Sequence, residues 1–157
     1  MKTRNLLLAS AALVCLSSGL ASGALAQSAT FFAVLNGGNE CTAASPPVCN
    51  QGDPDGLGSA VVQIIGPNNL CAAIVVDNLA GANQAHIHRA PASFFGPNVV
   101  ELAAPHNPGA GDPGASTYCN NAVPAATIRD IIRNPRNYSI NIHNVPYDNG
   151  AIRGQLF

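Results

Sequence analysis

Three histidines carry the most chemistry in this chain. His86 and His88 lie in the run Gln84-Ala85-His86-Ile87-His88, where polar and apolar residues alternate. Alternation is the period of a β-strand, so both imidazoles project from one face, roughly 6–7 Å apart at Cα. One metal ion can bridge that span with bonds of about 2.0–2.1 Å. His143 ends a second alternating run, 138–143, and adds a third nitrogen. Three imidazoles suit copper(II) or zinc(II). His106, in a Gly/Pro-rich stretch, is a fourth donor if its loop folds back. The competing reading leaves these histidines as outward polar residues with no metal.

The terminal runs 137–145 and 151–157 read as a hairpin. Tyr138, Ile140 and Ile142 share one face of the first strand, and Ser139, Asn141 and His143 the other. In the last strand Ile152 and Leu156 face the core, while Arg153 and Gln155 face away. Opposed residues of an antiparallel pair share a face, so odd positions must pair with odd ones. A loop at Asp148-Asn149-Gly150, with Gly150 left-handed in a bulge, sets His143 opposite Gln155 and diagonal to Arg153. Arg153, Gln155 and Asn141 then neighbour any ligand at the histidines, with Arg153 attracting an anion. The alternative pairs Arg153 with Glu40 or Glu101 to fix the fold.

Five cysteines occur, and Cys15 falls in an apolar N-terminal run. Cys41, Cys49, Cys71 and Cys119 remain, an even number that allows two disulfides in three connectivities. Cys41–Cys49 and Cys71–Cys119 are favoured, because the first pair brackets a short Pro-rich loop. A four-thiolate zinc site is the rival, but no C-x2-C pair supports it. No G-x-S-x-G elbow, phosphate loop or dinucleotide glycine pattern appears.

Composition narrows the partners. Charged residues make up 10% of the 157, and the formal net charge is -1. An average soluble protein carries about 25%. A chain with no basic surplus is not a nucleic-acid binder. Lys2 and Arg4 precede the apolar run 6–16, and Ala24-Leu25-Ala26 follows. This is the pattern of a secretory signal peptide cleaved after Ala26, which places residues 27–157 outside the cell or in the periplasm. Those residues hold no lysine, and no run in them is long enough to span a bilayer. An extracellular ligand or protein is the expected partner.

Short apolar runs punctuated by Gly, Pro, Asn and Asp predict an all-β domain. The expected strands are 30–36, 59–65, 70–78, 84–89, 98–102, 137–145 and 151–157, with a surface loop at 106–114. One short helix is predicted over 124–133, where Ile128, Ile131 and Ile132 recur at helical spacing. The expected architecture is a single Greek-key-like antiparallel β-sandwich of about seven or eight strands.

The chain resembles the CHRD domain, the module named after chordin. The resemblance is carried by Phe32-Ala33, Asn39-Glu40, Leu70-Cys71, Ala85-His86-Ile87-His88-Arg89-Ala90, Asn141-Ile142-His143 and Gly150-Ala151-Ile152-Arg153-Gly154-Gln155-Leu156. It implies a secreted all-β interaction module. One departure is visible: the family pattern runs Asn-Glu directly into a Pro pair, whereas here residues 41–45 intervene. A fainter similarity is to the copper side of Cu/Zn superoxide dismutases. It implies His86, His88 and His143 as copper ligands, Arg153 as anion guide, and a mononuclear copper redox enzyme acting on superoxide. The bridging His and zinc-ligand Asp cluster of those enzymes have no counterpart. A structural surface or matrix protein, without metal and self-associating, is the third reading.

Overall fold

The computed structural model describes residues 28–106 and 113–157; the leader expected at 1–26 lies outside them. Eight strands are described: β1 Ser28–Asn36, β2 Leu57–Ile65, β3 Leu70–Asp77, β4 Ala82–His88, β5 Asn98–Leu102, β6 Gly114–Asn120, β7 Ser139–Asn144 and β8 Tyr147–Gln155. The helix α1 spans Ala125–Arg133. All strand pairs are antiparallel, in the order β5-β4-β7-β8-β1-β2-β3-β6. The expected all-β fold with one short helix is therefore present, with its strands in one continuous sheet.

The sheet curls until its two ends meet. Ser116 Oγ donates to Ala103 O at 2.8 Å and Asn120 Nδ2 to Glu101 O at 3.3 Å. His106 and Ala115 exchange backbone hydrogen bonds at the same seam. Alternating residues of every strand fill the enclosed core, among them Phe31 and Leu35, Val62 and Ile64, Ile74, Ile87, Ile140 and Ile142. Ile128 and Ile131 of α1 join them, as their spacing predicts. The disulfides are Cys41–Cys49 and Cys71–Cys119.

Two expectations need correction. Strand β6 was not anticipated. Its core-facing residues are Gly114, Ser116 and Tyr118, so it lacks the apolar alternation that marks a half-buried strand. The terminal hairpin also turns elsewhere. Asn144 pairs with Tyr147, so the loop is Val145-Pro146, and β8 begins before Asp148. Asn144 stabilises this turn: its Oδ1 accepts from Tyr147 N–H at 3.2 Å, and its Nδ2 donates to Ala80 O at 3.1 Å. Asp148 to Ala151 are then accommodated against the single residue His143 as a wide bulge. Odd positions still face odd ones, but Asn141 is opposite Arg153 and Ser139 opposite Gln155. His143 is not opposite Gln155.

Candidate metal centre

β4, β7 and β8 lie side by side, and their odd or even outward positions bring Gln84, His86, His88, Ser139, Asn141, His143, Arg153 and Gln155 to one outer face. Two loops cover it, so every residue of β7 is buried, apolar side chains on the inner face and polar ones on the outer. The segment 89–97 forms one cover. Gly96 permits its close approach, since a Cβ there would stand 2.1 Å from Arg89 O. Polar side chains hold this cover down through its carbonyl groups. Arg153 Nη1 donates to Phe94 O at 2.6 Å, and Nη2 to Ala90 O and Pro91 O at 3.2 and 3.0 Å. Gln155 Nε2 donates to Ala90 O, Arg136 O and Tyr138 O.

Beneath the cover, one nitrogen from each of His86, His88 and His143 lies within 4.8 Å of the other two. The remaining nitrogen of each ring already has an acceptor. His88 Nδ1 is 2.7 Å from Gly96 O, and His143 Nδ1 is 2.9 Å from Asp148 O. His86 Nε2 is 3.2 Å from Glu101 Oε2. Carbonyl and carboxylate oxygens only accept, so these partners assign the ring protons to the outer nitrogens. In the neutral rings the inward nitrogens, His86 Nδ1, His88 Nε2 and His143 Nε2, therefore present lone pairs.

Those lone pairs find no donor. His86 Nδ1 and His143 Nε2 face each other at 3.2 Å, and His88 Nε2 is buried with no hydrogen-bond partner. Asn141 Oδ1, also an acceptor, approaches His143 Nε2 at 3.1 Å, while the same amide hydrogen-bonds Glu40. Convergent acceptors without a proton among them suit a cation. Burial holds His86 and His88 below the ordinary imidazole pKa. For His86 the Glu101 carboxylate opposes this effect, and repulsion from the other two rings adds to it. For His88 the hydrogen bond to Gly96 O opposes it, and the charges of His143 and Arg153 add to it. Neutral imidazole is the form that ligates metals.

Glu40 completes the cluster, and no spacing signal in the sequence points to it as part of the site. It is 4% exposed, and its carboxylate occupies the space that a Cβ on Gly150 would fill, 2.5 Å away. Burial raises its pKa to about 7, against the pull of Arg153 and the hydrogen bond from Asn141. Arg153, also 4% exposed, faces Glu40 electrostatically, yet its Nη groups hydrogen-bond to oxygens of the 89–97 cover and Gln155. His106 stands apart from the three-histidine group, on the β5–β6 seam.

A curled antiparallel sheet with a polar site roofed on its outer face defines the class of protein. A family model for the CHRD domain matches residues 31–156, and the chain belongs to that family. Neither the curated proteins nor the solved structures give a match.

Proposed function

We propose that residues 27–157 form an exported CHRD-type binding domain that carries one transition-metal ion on His86 Nδ1, His88 Nε2 and His143 Nε2. The observation that carries the reading is the convergence of three acceptor nitrogens within 4.8 Å, each ring fixed from behind by its own oxygen partner. Outer partners of this kind orient ligating histidines and raise their basicity. Two ligands at tetrahedral angles with bonds of 2.0–2.1 Å stand about 3.3 Å apart. The 3.2 Å between His86 Nδ1 and His143 Nε2 fits that edge. An all-imidazole donor set takes copper(II) ahead of zinc(II) in the general affinity order. Export is supported by the leader pattern in residues 1–26 and by two disulfides, which persist in oxidising compartments. No helix among the described residues is long and apolar enough to cross a membrane.

A superoxide-directed copper enzyme would share these ligands. The binding-domain reading is preferred because Arg153, the anion guide such an enzyme needs, is buried and engaged with carbonyl groups. The deciding experiment is the metal content of natively exported, untagged protein by mass spectrometry, beside His88→Ala. Near one copper per chain, lost in the variant while circular dichroism is unchanged, is the expected result. Zinc in place of copper assigns a non-redox centre. No metal in either protein sinks the proposal.

A further inference from the structure

A second site lies behind Glu40, in a cleft of about 350 Å³ between the disulfide loop, the β8 bulge and the roof. Its walls include Glu40, Thr42, Phe95, Tyr147, Asp148 and Gly150. Two carboxyl groups and two aromatic rings line it, and no cationic side chain does. The Glu40 carboxyl is more than nine-tenths buried, and its Oε1 has no hydrogen-bond partner among the described residues. A buried carboxylate oxygen without a donor costs about 1–3 kcal/mol or more, so it calls for an explanation. Part of the wall, Cys41, Thr42 and Ala43, belongs to the stretch by which this chain departs from its family pattern.

We propose that this cleft binds a primary ammonium group on an aliphatic stem. The ammonium carries three donors and no acceptor, and it supplies the missing partner of Glu40 Oε1. Asp148 adds negative charge at the mouth, and Phe95 and Tyr147 offer ring faces to the cation and its methylene groups. An anionic ligand would meet two carboxyl groups there. The ammonium comes from outside this domain, because residues 27–157 contain no lysine. Its source is either a lysine side chain of another protein or a free alkylamine. The raised pKa of Glu40 is consistent with a carboxyl lacking its counter-cation.

The inference stands on different residues from the metal reading and is tested separately. The full exported protein is titrated with n-butylammonium, n-butanol and n-butyrate, with and without chelator, and followed by amide NMR shifts. Butylammonium alone should give saturable shifts, centred on Glu40, Phe95 and residues 148–150. Glu40→Gln should weaken that binding roughly tenfold or more, the scale of a charge-assisted hydrogen bond. Phe95 is half-exposed, so Phe95→Ala keeps the fold and decides the case if Glu40→Gln does not fold. It should weaken binding about threefold or more. Tighter binding of an acetyl-lysine amide than of cadaverine assigns the cleft to protein lysines, and the reverse order to free diamines. Equal affinity in wild type and both folded variants, or equal response to butanol or butyrate, overturns the proposal.

Discussion

At the scale of single residues, the outer face of β7 holds acid and base groups whose burial pulls in opposite directions. Burial raises the pKa of Glu40 from 4.5 to about 7, so the folded protein binds the extra proton between those values. Its contribution to stability is full below pH 4.5 and is lost as pH rises through 7. The depressed His86 and His88 do the reverse: their contribution is full above the unfolded value near 6.5 and is lost as pH falls through their lowered native values. Glu40→Gln removes only the first effect. Between pH 5 and pH 7.5, urea unfolding of metal-free wild type should show a loss of stability that the variant lacks. The expected difference is roughly 3 kcal/mol, from a shift of about 1.4 kcal/mol per pH unit. Parallel pH profiles for the two proteins would remove Glu40 from this account.

Among elements, the β7–β8 hairpin and the 89–97 cover do the positioning. Parity alone places Asn141, His143, Arg153 and Gln155 on one face, and the structure keeps that face. The register is another matter, because a tight turn at Val145-Pro146 and a bulge at 148–151 replace the expected three-residue loop. The bulge is what brings Asp148 O to His143 and opens the space over Gly150 for Glu40. Gly150 has φ +132°, a conformation disfavoured for side-chain-bearing residues, and a Cβ there would strike the Glu40 carboxylate. Gly150→Ala should therefore lower stability by about 1–3 kcal/mol, with Asn149→Ala, an exposed neighbour, nearly neutral. Chemical denaturation of both variants checks it, and equal midpoints would mean the bulge relaxes freely.

For the whole molecule, closure of the sheet depends on β6, which the 71–119 disulfide attaches to β3. That bridge spans 48 residues and the 41–49 bridge spans 8. Loop-closure entropy assigns about 4 kcal/mol to the longer and about 2.5 to the shorter, on a chain-entropy model. Replacing Cys71 and Cys119 by Ala should thus lower the unfolding midpoint more than replacing Cys41 and Cys49. Thermal unfolding of the two double variants compares them directly, and the opposite order would show that the short loop stabilises by more than its entropy.

The amino-acid sequence by itself determined the strands with apolar alternation, the helix around Ile128 and Ile131, the cysteine pairing, and the shared face of His86 with His88 and of His143 with Arg153. Each of these follows from local periodicity or short spacing, which neighbouring residues impose on one another. Only the tertiary structure decided which nitrogen of each histidine points inward, because Gly96 O, Asp148 O and Glu101 reach the rings from separate segments. It also decided the register of β7 against β8, the place of β6, and the burial of Glu40 and Arg153. Those depend on a cover folded over the sheet's outer face, and no run of residues encodes that contact locally.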